Sequence, residues 1–291
     1  MKEYMSTNNL IDYLINKGVK INDRTFVYNV IEKYSYYSLI NTYKDIFKDI
    51  NGNYINNVTF DEIYALFEFD KNLKIVFLKY ILEIEYLIRT KVSETISLNY
   101  GIKEYLIESN FDGNNSHTVE VINKIKEEIK RQKDKHNAVK HYLNVYGYLP
   151  PFVLVKILSF GELSKLCNIL KQKDRQLISK SFKISDKLLN QILTNISMIR
   201  NICAHNDRLY NFRSKFLISF KNIDSNYIIY DNLTNTYMIM KSMELLLSMQ
   251  QVIDFEKSVS NEISVLRSKI HSLDFNIILK EIGFPNLLIY K

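Results

Sequence analysis

The sequence predicts a mainly α-helical protein, on three observations. Its 291 residues hold only seven Gly and three Pro, so helix breakers are sparse. Apolar side chains recur at three- and four-residue spacing along most of the chain. Strand-like patterning is confined to "YIIYDNLTNTYMIM", so one short hairpin is expected near 227–240. With 46% hydrophobic and 24% charged residues, the chain has the composition of a folded protein.

The elements follow in order. "STNNLIDYLINKG" offers Ser6 or Thr7 as a helix cap, Leu10, Ile11, Leu14 and Ile15 as one apolar face, and Gly18 as a stop. A second helix starts at Asn22 or Asp23 and carries Phe26, Val30, Ile31, Tyr34, Tyr37 and Ile40 at helical spacing. Thr59 caps "FDEIYALFEF", and Asp70 is expected to cap a separate long helix that ends at Gly101 and lies in the core. "HTVEVINKIKEEIKRQKDKHNAVKHYLNVYG" reads as one exposed, Lys-rich helix. Pro150 and Pro151 break the chain, a helix follows, Gly161 marks a corner, and further helices run to a long one capped by Ser185. Helices resume at about Thr236. The expected organisation is an N-terminal helical segment at 1–58, a helical core at 59–215 and a C-terminal helical segment at 216–291, which can pack as one domain.

Composition also excludes several classes. Two cysteines, Cys167 and Cys203, cannot build a disulfide framework, and neither belongs to a zinc ligand set, so no metal or cofactor is expected. The N-terminal stretch lacks the uninterrupted apolar run of a signal peptide, and no stretch reaches the roughly 20 apolar residues of a membrane span. A cytoplasmic location away from membranes is therefore expected. A net charge of +7 favours polyanionic partners.

The densest polar cluster is "SMIRNICAHNDRLYN", which interrupts an apolar helical pattern. At about 100° per residue, Asn201 and His205 lie about 40° apart on one face, whereas Arg200 and His205 are about 140° apart. Arg200 therefore serves a phosphate near His205 only by its length, by a helix distortion, or from a second copy of the helix. The set suits RNA cleavage: imidazole exchanges protons near neutral pH, and guanidinium binds phosphate oxygens bidentately. The structural alternative has Arg200 and His205 capping carbonyls at the helix end near Asp207.

"RNICAHNDRLYN" resembles the RNxxAHxxRxxN signature of bacterial abortive-infection proteins of the AbiD/AbiF type, members of the HEPN ribonuclease superfamily. "LINKGVKINDRTFVYNVIEKYSYYSLINTYKDIF" is similar to the family's opening, "FEFDKNLKIVFLKYILEIEYLIRTKV" to its central stretch, "YLPPFVLVKILSFGELSKL" to its PxW and SFG segment, and "IGFPNLLIYK" to its close. Phe152 and Leu287 stand where Trp is usual, as apolar fillers. Lys156 replaces an acidic residue, and Ser35 and Ser38 stand where Asn and Arg often flank the Tyr pair.

The resemblance implies a HEPN-type helical bundle with additional terminal helices. It makes Arg200, Asn201 and His205 the catalytic set of an endoribonuclease that needs no metal, acts by 2′-hydroxyl attack, and forms its site across a homodimer. Candidate RNA contacts are Asn206, Arg208, Asn211, Lys130, Arg131, Lys133, Lys135, Tyr36 and Tyr37, although the lysines also fit a solvated face and the tyrosines a core. The alternative function is a binding protein for a small structured non-coding RNA, without cleavage. Elsewhere, Glu85 is spaced to pair with Arg89 rather than to act with Glu83.

Overall fold

Side-chain caps open the helices where local chemistry demands. In the computed structural model, which describes residues 4–113, 116–205, 207–219 and 233–284, Ser6 accepts from the Asn9 N–H and opens α1, Thr7–Asn16. Asp23 accepts from the Phe26 N–H and opens α2, Arg24–Tyr34. The mainly α class is what the structure shows.

Four details differ from the sequence expectation. The second helix does not carry Tyr37 or Ile40, because Ser35 adopts φ 62° and its hydroxyl accepts from the Ser38 N–H at 3.2 Å, starting a separate π turn over Tyr37–Asn41. A side chain that satisfies the backbone locally has displaced the helical alternative. Asp70 caps nothing: α3 runs unbroken from Phe60 to Tyr100. The Lys-rich stretch forms two helices, α4 (Ser116–Gln132) and α5 (Asn137–Tyr146), and α4 buries Val121, Ile122 and Ile125. The corner after α6 (Pro151–Ile157) falls at Leu158 and Ser159; Gly161 lies inside α7, Phe160–Ile169. Ser159 and Glu162 cap that helix reciprocally, since the Ser159 hydroxyl accepts from the Glu162 N–H and the Glu162 carboxylate accepts from the Ser159 N–H at 2.7 Å.

The chain then forms α8 (Gln172–Lys180) and α9 (Asp186–His205), followed by α10 (Thr236–Glu244), α11 (Met249–Arg267) and α12 (Phe275–Ile282). A two-residue strand, β1 (Arg213–Ser214), pairs antiparallel with β2 (Thr234–Asn235). β2 falls within the expected hairpin region, but its partner precedes that region, and 227–232 lie outside the described residues.

The helices divide into two compact units: 1–77 with 206–212 and 253–291, and 78–205 with 213–252. In the first, α1 packs on α2, and Phe77 meets Phe255 edge to face at 5.2 Å. Its polar centre is Asp70, fully buried on α3. The carboxylate accepts from the Tyr43 hydroxyl at 2.6 Å, from the Tyr210 N–H at 2.6 Å and from the Leu209 N–H at 3.1 Å, and it pairs with Lys74 at 3.4 Å. Lys74 also donates to the Asp207 carbonyl. Burial pushes the Asp70 carboxyl above its usual range, with Lys74 and these donors acting in the opposite direction. Residues 207–210 thus take their path from a side chain far away in sequence.

In the second unit α9 is the central helix, packed on α7, α8 and α10. Arg175 on α8 braces it by donating to the Asn168 carbonyl and to the carboxylates of Asp112 and Asp186. The expected Glu85 to Arg89 pair forms, and Arg89 also donates to the Leu158 carbonyl at 2.8 Å. Among the described residues no helix is long and apolar enough to cross a membrane.

Candidate functional site at the end of helix α9

Ser185 accepts from the Leu188 N–H at 3.1 Å and sets the start of α9. Leu189, Ile192, Leu193, Ile196 and Ile199 then recur every three or four residues and are fully buried. This apolar face turns the opposite side of the helix to solvent. At about 100° per residue, Asn201 and His205 fall either side of the pole opposite the buried face, and both are exposed. Arg200 falls about 60° from the centre of the buried face. It is half-buried, and its Nε is shielded from solvent without a hydrogen-bond partner.

The side chains of Arg200, Asn201 and His205 make no hydrogen bond or ion pair among the described residues. The alternative in which Arg200 and His205 cap carbonyls near Asp207 therefore has no such bond to rest on. Three strong hydrogen-bonding groups at the end of a well-packed helix contribute nothing visible to holding it in place. A guanidinium can bind an anion and an outward imidazole can exchange a proton, but about 140° of helix separates Arg200 from His205, so the two do not face one ligand from a single copy of α9.

The other sequence candidates are described each in its own unit. Arg208 belongs to the first unit and is committed to structure: its Nη1 donates to the Thr42 carbonyl at 2.6 Å, and its guanidinium lies 5.8 Å from the Tyr210 ring. Asn211 is half-buried in the same unit, and Asn206 lies outside the described residues. Lys130, Arg131, Lys133 and Lys135 are exposed at and beyond the end of α4, with Arg131 paired to Glu128. Tyr37 is 75% exposed, whereas Tyr36 is half-buried and its phenol is pushed up to about 12, by burial first and then by Tyr13. Phe152 is 45% exposed, so it does not act as a buried filler; Leu287 lies outside the described residues. Among the described residues no three His, Cys, Asp or Glu side chains are grouped to hold a metal ion.

Sequence inspection missed a groove on the same outward stripe of α9. A cavity of about 390 Å³ is lined by Lys187, Asn190, Gln191 and Thr194 from the helix and by Arg175, Asp186, Phe216 and Leu217 around it. Its far wall is held by polar anchors. Buried Asn195 donates to the Phe216 carbonyl at 2.9 Å, the Gln191 side chain accepts from the Ser219 N–H at 3.0 Å, and Thr234 donates to the Phe216 carbonyl. Thr194 precedes Asn201 by two helical turns, which at 1.5 Å per residue is about 10 Å along one face. The apolar pair at 216 and 217 was the available signal, but nothing in the sequence brought it next to α9.

The fold and this exposed helix end together describe a mainly helical protein with a polar motif at its surface. The family model for Abi-like protein matches residues 29–211, from within α2 through the end of the motif, and the chain belongs to that family. Membership suggests a role in abortive infection. No curated protein and no solved structure matches the chain.

Proposed function

We propose that this protein is an endoribonuclease of the HEPN type, active in abortive infection in the cytoplasm and needing no metal. What carries the proposal is the unpartnered set of Arg200, Asn201 and His205 at the surface end of α9. His205 takes the proton of a ribose 2′-hydroxyl or returns one to the leaving 5′-oxygen. Arg200 neutralises the charge that develops on the phosphate, and Asn201, about 40° from His205, holds a phosphate oxygen or the imidazole. The 2′-oxygen bonds to phosphorus as the bond to the 5′-oxygen breaks, leaving a 2′,3′-cyclic phosphate and a 5′-hydroxyl.

Arg200 lies about 140° around the helix from His205. That separation supports a composite site, in which a homodimer apposing two α9 ends brings Arg200 of one copy to His205 of the other. The second reading, an RNA-binding protein without cleavage, draws on the exposed lysines at the end of α4.

The test compares wild type with His205→Ala and Arg200→Ala on total RNA in EDTA, with solution mass measured in parallel. Each variant is expected to lose roughly 10²- to 10⁴-fold in rate, the usual worth of a general acid or base or of a charge-stabilising donor. A His205→Ala protein that cuts as fast as wild type refutes the assignment. Loss of activity in EDTA refutes the metal-free mechanism, and a fully active monomer refutes the composite site. A wild type that cuts nothing yet copurifies with one small RNA supports the binding reading.

A further inference from the structure

Helices α5 and α6 and the turn between them carry an aromatic surface outside the α9 site. Tyr142 and Tyr146 are one turn apart with ring centroids at 5.3 Å; Phe152 meets Tyr142 edge to face at 5.9 Å, and Tyr148 lies 6.3 Å from Tyr146. Tyr146 is 54% exposed and Phe152 45%, and the half-buried Tyr142 and Tyr148 rings adjoin them. Isolated exposed rings are ordinary, but a contiguous run of them marks a contact surface. The run is held in shape, because the buried Tyr105 hydroxyl donates to the Leu149 carbonyl at 2.9 Å.

The chain segment that carries these rings is one-sided in charge, although exposed Glu104 follows Lys103. Residues 135–161 contain no Asp or Glu, whereas the chain has 32 in 291 residues, a density that would place about three there. Cations border the rings instead. Lys103 sits 4.7 Å from the Tyr148 ring centroid, and Lys156 follows Phe152 by one turn, about 40° around α6. Exposed rings interleaved with lysines suit a strand that offers both unpaired base faces and phosphates. A duplex hides its base faces, so it fits this surface poorly.

We infer that the Tyr142, Tyr146, Tyr148 and Phe152 surface, with Lys103 and Lys156, is a stacking platform for single-stranded RNA. It binds independently of cleavage at α9, and its test is built on that difference. Full-length protein is titrated into a fluorescein-labelled 2′-O-methyl oligouridine 12-mer, which lacks the free hydroxyl needed for cleavage, and anisotropy is read.

Tyr146→Ala and Phe152→Ala are each expected to weaken binding about ten- to hundredfold, the usual loss per stacked base. The ring-keeping variants Tyr146→Phe and Phe152→Tyr should bind within about twofold of wild type, which separates stacking from misfolding. The same strand annealed to its complement should bind at least about tenfold more weakly. Alanine variants that match wild type overturn the inference, as does equal affinity for the duplex or no binding by wild type. If the alanine variants turn a dimer into a monomer at unchanged oligonucleotide affinity, the surface joins two copies of the chain and the inference is also overturned.

Discussion

Replacing Asp70 with Asn tests how residues 207–210 are held. The substitution keeps the volume and one oxygen but turns the other into an NH₂ group. In the Oδ1 place that group cannot accept from the Leu209 and Tyr210 N–H groups, and in the Oδ2 place it cannot accept from the Tyr43 hydroxyl, so one set of bonds is lost either way. Lys74, 3.4 Å away and 5% exposed, loses its counter-charge. Breaking a buried pair on one side costs about 3–5 kcal/mol. Lys74 still donates to the Asp207 carbonyl, which places the loss near the lower end of that range. At about 2–4 °C per kcal/mol, a loss near 3 kcal/mol lowers the melting temperature by about 6–12 °C. Thermal melting by circular dichroism measures it, and the double variant Asp70→Asn/Lys74→Met should recover part of the loss. A single variant that melts within about 2 °C of wild type would refute the argument that Asp70 organises this segment.

Three further outcomes are expected. Burial alone would raise the Glu62 carboxyl, but N–H groups of His271, Thr59 and Ser272 hold it below its ordinary 4.5. Its stabilisation is therefore present above that pH and is lost as pH falls through the lower native value, so acid titration of stability should be shallower in Glu62→Gln than in wild type. Ser159→Ala removes one half of the α7 capping box and should cost about 0.5–2 kcal/mol in urea unfolding. Phe216→Ala opens the α9 groove at a residue that is 56% exposed, so stability should change by under about 0.5 kcal/mol while the KM for RNA rises; an unchanged KM would separate the groove from substrate binding.

Much of this protein was legible in its sequence. Sparse breakers and three-to-four spacing determined a helical fold, and Ser6, Asp23, Thr59 and Ser185 could be recognised as caps because a cap acts within three residues of itself. The polar cluster on α9 stood out for the same local reason: Asn201 and His205 share a face by helix geometry alone. Tertiary structure decided what distant partners decide. Asp70 looks like a cap until the chain returns at Leu209 and Tyr210 to supply its donors, and with those in place α3 passes through it unbroken. Arg208 belongs to the same motif as His205, yet its Nη1 donates to the Thr42 carbonyl, a partner no local pattern announces. The α9 groove and the α5–α6 aromatic surface were also invisible beforehand, because each is assembled by packing between elements that share no local pattern. Local chemistry in the sequence sets which helices form and where they start. Long-range packing sets which of their polar groups are used up by the fold and which, like Arg200, Asn201 and His205, make no hydrogen bond or ion pair among the described residues.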